Sequence, residues 1–333
     1  MSEFLRHTLS APLPRDKTGA VIAIGNFDGV HRGHQVVLNA AIAQARSAGR
    51  AAYVLSFEPH PRTLFKPQSP VFRLTDEETK ADVLKAYGLD GLLTLPFTRE
   101  LASTPADEFV DDILLDHAGG AHMVIGFNFM FGKDRQGSPD FLQDKGEQRD
   151  FGVTVVPEFS GATDSAISSS RIRRLLGAGE VRQAADLLGY HWMVTGTVQT
   201  GAQLGRTLGY PTANLSLPAS CHLAHGIYAV MVRLADGSRH FGVASYGRRP
   251  TFDNGDALLE TFIFDYSGEL YGETITITLV EFLRGEEKFA SAEALVAQMD
   301  RDSAQAKAVL AAIKPVSPLD AALHFEPGKA EGQ

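Results

Sequence analysis

Cysteine is almost missing from this chain of 333 residues: there is one, Cys221. A lone thiol cannot close an internal disulfide, and without a second there is no CxxC spacing for structural zinc. That economy suits a reducing compartment, and the expected location is the cytoplasm. Long apolar runs are missing too. No stretch reaches the ~20 apolar residues of a membrane-spanning helix, and residues 1–19 carry no apolar signal-peptide core. No membrane partner is therefore expected. Positive charge is in deficit, with 31 Lys and Arg against 40 Asp and Glu, a formal net charge of −9. Nucleic-acid binders usually present a basic footprint, so no nucleic-acid partner is expected either. A local basic patch around bound phosphates stays compatible with this balance. There is no internal repeat and no GxxxxGK[ST] phosphate loop.

What is present reads as an ordinary globular chain, 44% apolar and 21% charged. At roughly 100–200 residues per domain, two domains are expected. In the first half, apolar runs alternate with helical patterns. Strands are expected at Ala20–Ile24, Ala51–Phe57, Leu92–Leu95, His122–Gly126 and Val153–Val156. Helices are expected over Gly33–Ala48, from a cap at Thr75 to Tyr87, and from a cap at Thr104. Strands separated by crossover helices make a parallel, doubly wound sheet, with ligands at the carboxyl ends of its strands. Two short helices follow, Ser169–Leu176 and Glu180–Leu188.

The pattern then changes. Strand-like runs at Met193–Val198, Ile227–Leu234, His240–Ala244, Leu259–Phe264 and Thr274–Phe282 follow without helices between them, and Asp236-Gly237 is a hairpin signal. They imply an antiparallel β-barrel. Thr274-Ile-Thr-Ile-Thr-Leu279 alternates strictly, as a strand with one wet face and one buried face does. Ser291–Ile313 is a terminal helix. The fold class is thus α/β plus β, with domains at 1–188 and 189–313 and a mobile tail at 314–333.

Two segments carry chemistry. Gly25-Asn-Phe-Asp-Gly-Val-His31-Arg-Gly-His34 links the first strand to the first helix. A helix start offers free amides and about half a positive charge to an anion. His31 and His34, three apart, can face one ligand and donate hydrogen bonds to phosphate oxygens. A bare HxxH pair on a solvated turn would mean nothing. Its setting among glycines at a strand–helix junction selects the phosphate reading, and no third metal ligand lies nearby in sequence. The second segment runs from Gly196 through Gly201, Gly205, Arg206, Gly209 and Pro211 to Thr212-Ala-Asn214. Its glycines leave exposed backbone amides for phosphate. Thr212 and Asn214 point the same way in an extended chain and offer hard oxygens suited to Mg2+.

At these residues the chain resembles the HxGH nucleotidyltransferases, and the longer GNFDGVHRGH string is similar to the prokaryotic bifunctional riboflavin kinase/FAD synthetase family. Ser56-Phe-Glu-Pro-His-Pro61, Gly126-Phe-Asn-Phe-Met-Phe-Gly132 and Ile167-Ser-Ser-Ser-Arg-Ile-Arg173 match in order, and so do the PTAN segment, Arg249-Pro-Thr-Phe252, Leu259–Asp265 and Leu283–Phe289. The resemblance covers about Val21 to Phe289. It implies a Rossmann-like nucleotidyltransferase domain and a riboflavin kinase-like barrel that together use ATP and Mg2+ to turn riboflavin into FMN and FMN into FAD. Gly25, Phe27, Asp28, His31, His34, Ser169 and Arg173 would bind ATP in the first domain, and Pro59, Pro61 and Asn128 would contact FMN. In the second, Glu260 would be the general base, Thr212 and Asn214 would hold Mg2+, and the glycine-rich segment would bind ATP and flavin. Ala166 stands where relatives often carry arginine, Ser170 where threonine is usual, and Ser245-Tyr246 replaces an Asn-Ile type of pair. Two other readings stay open at this stage: a nucleotidyltransferase for another phosphorylated substrate with a barrel that only binds, and a non-enzymatic flavin sensor.

Overall fold

The computed structural model describes residues 3–158, 167–200, 210–248 and 257–326. They fall into two compact units, Met1–Val71 with Thr75–Ser168, and Phe72–Leu74 with Ser169–Gln333.

The first unit is built on six parallel strands: β1 (Leu5–Thr8), β2 (Val21–Ile24), β3 (Ala52–Glu58), β4 (Gly91–Pro96), β5 (His122–Gly126) and β6 (Gly152–Val156), in the order β1-β4-β3-β2-β5-β6. Five of these follow the apolar runs. The sixth, β1, does not: its sequence LRHT alternates half-buried and exposed, as an edge strand does. From β2 the chain builds outward through β3 and β4, then returns to place β5 on the other side of β2. The resulting switch point lies at the carboxyl end of β2.

The connecting helices are α1 (Arg32–Ala48), α2 (Pro61–Phe65), α3 (Glu77–Tyr87), α4 (Arg99–Ser103), α5 (Ala106–Glu108), which runs on as a π-helix (Phe109–His117), and α6 (Pro139–Arg149). Leu38, Ala41, Ile42 and Ala45 form the buried stripe of α1. Ile22, Ile24, Leu55 and Leu93 pack into one core with Phe109, Val110 and Leu114 of the π-helix. Two caps differ from the sequence reading. Asp76, not Thr75, caps α3 through a 2.7 Å bond from the Thr79 amide. Thr104 closes α4 and Thr98 opens it. At α3 the Asp76 carboxylate reaches the orphan amide first, while α5 starts after Pro105 with no side-chain cap.

The second unit begins with α7 (Ser169–Gly177) and α8 (Val181–Leu188). The sequence reading put these helices in the first domain, but their packing belongs here. The Ala224 amide donates to Leu176 O at 3.0 Å, Arg182 pairs with Glu281, and Gly179 lies against the Phe282 ring. Six antiparallel strands follow: β7 (Met193–Thr197), β8 (Thr212–Ser216), β9 (Gly226–Arg233), β10 (Arg239–Arg248), β11 (Ala257–Ile263) and β12 (Thr274–Arg284), in the order β7-β12-β9-β10-β11-β8. A hydrogen bond from the Gln199 amide, just past β7, to Asn214 O of β8 at 2.9 Å links the two ends of the sheet and nearly closes the barrel. Helix α9 (Ala292–Ala311), capped by Ser291, buries Ala306 and Leu310 against Ala229, Met231 and Val280.

Residues 314–333 do not read as a mobile tail where they are described. Helix α10 (Pro318–Asp320) and the π-turn Ala321–Phe325 are docked. Asp320 is fully buried and accepts from the amides of His191 and Val316 at 2.8 and 2.9 Å. Its carboxylate also meets His191 Nδ1 at 2.8 Å. The same segment overturns the wet face expected for β12. Thr276 and Thr278 are both buried, Thr278 bonding His324 at 3.2 Å, because the chain end covers the threonine row. Composition alone could not announce a segment whose order comes from one buried carboxylate.

Candidate active sites

The first site grows from the carboxyl edge of three adjacent strands. β3, β2 and β5 lie side by side. Pro59 and Pro61 follow β3, the Gly25–His34 loop follows β2, and Asn128 lies on an exposed turn after β5. The loop is tightly wound. Phe27, Gly29 and Val30 hold φ at 46°, 78° and 39°, a left-handed run that L-residues adopt at a cost of about 1–3 kcal/mol each. Gly29 is relaxed there; Val30, β-branched, is not.

Thr75 holds that loop. Its Oγ1 accepts from the Gly29 amide at 3.1 Å, and its own amide donates to Asp28 Oδ1 at 3.3 Å. Asp28 is buried, so its carboxylate secures backbone. His31 is the N-cap of α1. Its Nδ1 accepts from the His34 amide at 3.3 Å, which leaves the proton of a neutral ring on Nε2. The two imidazoles stack at 3.6 Å with planes 16° apart, and Phe27 meets His34 edge-on at 5.3 Å. Gly33 allows this: an added Cβ would stand 3.2 Å from the His31 ring.

Lys80 of α3 completes the cluster. It is 3% exposed, and its Nζ donates to Asn26 O at 2.9 Å and Ser56 Oγ at 2.8 Å. Burial, the His31 ring and the Lys80 charge together push His34 well below the usual histidine range. The site is thus a stacked imidazole pair, with His34 held toward its neutral form, beside a buried ammonium at a helix mouth. Sequence reasoning missed both roles: Thr75 was expected only as a helix cap, and Lys80 was not singled out. The expected ligands Ser169 and Arg173 lie one turn apart at the start of α7 in the second unit, where Arg173 Nε donates to Phe72 O at 2.5 Å.

The second site lies on β8 and β11. Thr212 and Asn214 stand on one face of β8. Across the ladder Asn214 pairs with Glu260 and Thr212 with Phe262, while Ser245 of β10 pairs with Glu260 from the other side. Side chains opposed in this way have Cβ atoms ~4.5–5.5 Å apart. Asn214 is buried, and among the described residues its Oδ1 accepts no hydrogen bond. A buried oxygen next to a threonine and a carboxylate is a donor set that fits a hard divalent cation. Tyr210, just before β8, packs its ring 4.8 Å from Phe262 and bonds Asp300 of α9. Burial and Asp300 push the Tyr210 hydroxyl up to about 12, so it stays a donor that fixes the entry to β8. Pro211 is exposed at that entry. Gly201, Gly205, Arg206, Gly209 and 249–252 lie outside the described residues.

A family model described as FAD synthetase matches residues 13–171, and one described as riboflavin kinase matches residues 188–310. A curated bifunctional riboflavin kinase/FMN adenylyltransferase from Pseudomonas fluorescens is 40% identical over 296 residues, 88% of this chain and 94% of that one. The protein of the same description from Escherichia coli is 36% identical over 298 residues, 89% and 95% of the two chains. A crystal structure described as a macrolide-efflux protein from Streptococcus pneumoniae superposes with a TM-score of 0.80 at 30% identity, covering 93% of this chain and 99% of that one. That description concerns the other protein; among the described residues here no helix is long and apolar enough to cross a membrane. With both halves matched in order and relatives aligned over nearly their whole length, the chain belongs to the bifunctional riboflavin kinase/FMN adenylyltransferase family.

Proposed function

We propose that the two activities of this family are carried by the two side-chain clusters described above. The chain phosphorylates riboflavin with ATP to give FMN and ADP, and adenylylates FMN with a second ATP to give FAD and pyrophosphate. In the adenylyl transfer, a phosphate oxygen of FMN attacks the α-phosphorus of ATP, and the bond to the bridging oxygen of pyrophosphate breaks. His31 and His34 donate N–H groups to the oxygens that gain charge, and the free amides at the start of α1 and the Lys80 ammonium add fixed positive potential. Stacking keeps the imidazoles aligned, so little reorganisation is needed at the moment of transfer. Gly25 and Phe27 shape the nucleotide side of the loop, Asp28 secures it, and Ser169 and Arg173 bind nucleotide phosphates. Pro59, Pro61 and Asn128 form the flavin side.

In the kinase reaction, Glu260 accepts the proton of the ribityl 5′-hydroxyl as that oxygen attacks the γ-phosphorus and ADP departs. Thr212 and Asn214 would hold Mg2+, which would offset negative charge on the ATP phosphates. Pro211 and the glycine-rich segment with Gly201, Gly205, Arg206 and Gly209 contribute nucleotide and flavin contacts. The setting that suits these substrates and a lone cysteine is the cytoplasm.

The observation that carries this reading is the orphaned Oδ1 of Asn214 opposite Glu260 in one unit, with the His31–His34 stack at a helix N-terminus in the other. Purified protein with riboflavin, ATP and Mg2+ should yield FMN and then FAD, separated chromatographically. FAD made from supplied FMN without any FMN made from riboflavin would sink the kinase assignment; FMN without FAD would sink the other.

A further inference from the structure

Helix α9 does more than cover the barrel. Ala306 and Leu310 pack with Ala229 of β9, and Val243 of β10 and Phe262 of β11 lie against the same cluster. Ala229, Val243, Phe262 and Thr212 are successive ladder partners on β9, β10, β11 and β8, so they form one row on one face of the sheet. The next row on that face lies two residues along each of these strands, roughly 7 Å away at ~3.3 Å per residue. It is Ile227, Ser245, Glu260 and Asn214, with Arg284 of β12 opposite Ile227 at the far end. The proposed kinase base and cation ligand thus stand beside the row that α9 covers.

Both ends of this arrangement are tied to α9 by carboxylates two residues apart. At the β12 end, Asp302 is buried and accepts a fork from Arg284, Nε to Oδ1 at 2.9 Å and Nη2 to Oδ2 at 2.6 Å. Gln298, one turn earlier, adds a 2.8 Å bond to Oδ1. The third Arg284 nitrogen donates to Gly285 O at 2.9 Å, so the whole guanidinium is engaged in holding the end of β12. An apolar pair would join a helix to a sheet at lower desolvation cost; what the fork adds is direction. At the β8 end, Asp300 accepts from the Tyr210 hydroxyl, and the Tyr210 ring lies 4.8 Å from that of Phe262. Tyr210 is two residues from Thr212, and Phe262 two from Glu260. An α-helix turns ~100° per residue, so Asp300 and Asp302 diverge by roughly 200° and reach opposite flanks.

We propose that α9 is a clamp on the phosphoryl-transfer site, with Asp300 and Asp302 as positioning residues for the kinase reaction. This rests on the reading that Glu260 and Asn214 carry that reaction. Each carboxylate acts through another residue. Asp302 acts through Arg284, fixing β12 and with it the lateral placement of the row. Asp300 acts through Tyr210, which holds β8 against β11 where Asn214 faces Glu260. A shift of about 1 Å between a base and the atom it serves costs on the order of a hundredfold in rate. Loss of the clamp should therefore lower kcat for FMN formation and leave KM for riboflavin nearly unchanged, because the misplaced groups act in the transition state.

Steady-state kinetics of the full chain test this, with each variant assayed well below its unfolding midpoint so that reduced stability alone leaves kcat unmoved. Asp300→Ala and Tyr210→Phe should each lower kcat for FMN formation about fivefold or more. The double variant should fall no further than the slower single one, as partners in one interaction do. Asp302→Ala should lower kcat about tenfold or more. Should it misfold by circular dichroism, Asp302→Asn, which keeps the shape and one acceptor, takes its place with an expected loss of about fivefold. Asp300 is exposed, so its variant disturbs no core packing. In all of them KM for riboflavin should stay within about threefold of wild type, and FAD formation from supplied FMN should keep its wild-type rate. The proposal is overturned if folded variants of either carboxylate keep the wild-type kcat, if the effects at 210 and 300 add, if KM rises in place of the fall in kcat, or if FAD formation falls in parallel. Glu260→Ala, run alongside, separates the two failures. FMN formation abolished there but intact in the α9 variants overturns the clamp alone; FMN formation surviving in Glu260→Ala overturns the kinase assignment and the clamp with it.

Discussion

Val30, buried at φ 39°, shows how much of the adenylylation loop is held by its surroundings. A β-branched residue does not enter the left-handed region unaided; here Thr75 grips the loop from both ends of a reciprocal bond pair. Thr75→Val, nearly the same shape without the hydroxyl, removes the acceptor of the Gly29 amide and should cost about 1–3 kcal/mol in unfolding free energy. FAD formation should fall about tenfold or more, a loss of ~1.4 kcal/mol of transition-state stabilisation, while FMN formation stays at the wild-type rate. Steady-state rates for both products check it, and equal loss of both would count against a local role. Lys80→Met should also slow FAD formation and, by removing a positive neighbour, raise the depressed His34 pKa, readable by NMR titration of the imidazole. At this scale the histidine pair was legible because glycines, a strand end and a helix start coincide in one string. Lys80 and Thr75 were not, because what makes them functional is burial against a loop some fifty residues earlier in sequence.

Helix α9 and the strands it covers were readable from periodicity, since apolar spacing survives in sequence wherever a face is packed. Two elements escaped that logic. Edge strand β1 has no continuous apolar run, and the terminal turn has too few apolar residues to predict docking. The latter is held by buried polar groups instead. Asp320→Ala removes the acceptor of two amides and a ring nitrogen, leaves the buried His191 ring without its carboxylate, and should cost ~3–5 kcal/mol. His324 provides a pH test of the same element. Burial pushes it down to about 4, with His191 and Arg233 acting in the same sense and Asp320 opposing. The unfolded chain takes up this proton below ~6.5 and the folded chain only below about 4, so stability should decline as pH falls through that window, by up to about 3 kcal/mol. His34, likewise depressed, adds to the slope. Urea midpoints at pH 7 and pH 5 measure the decline. It should be shallower in His324→Gln; an unchanged slope would show that the histidine is not held neutral.

Over the whole molecule, the side chains proposed to catalyse the two reactions, the His31–His34 pair and Glu260, share no element. His31→Ala should reduce FAD formation by about a hundredfold, as loss of an oxyanion-type donor does, and leave FMN formation intact. Glu260→Ala should abolish FMN formation and leave FAD formation from supplied FMN intact. Parallel loss of both products in either variant would contradict this separation. The two-part architecture was evident from the change of hydrophobic period near residue 190. The boundary was not, because α7 and α8 look like further crossover helices until their packing against the barrel unit is seen. A second surprise lies far upstream. Phe72 and Leu74 belong to the carboxyl-terminal unit, where Phe72 meets Trp192 edge-on at 5.7 Å and Leu74 O accepts the indole N–H at 2.7 Å. A fragment beginning at Ser169 would lack both, and its sole tryptophan would carry a donor pointing at nothing inside an apolar interior. No single cut in the gene liberates an intact kinase half, for three of its residues are encoded inside the other.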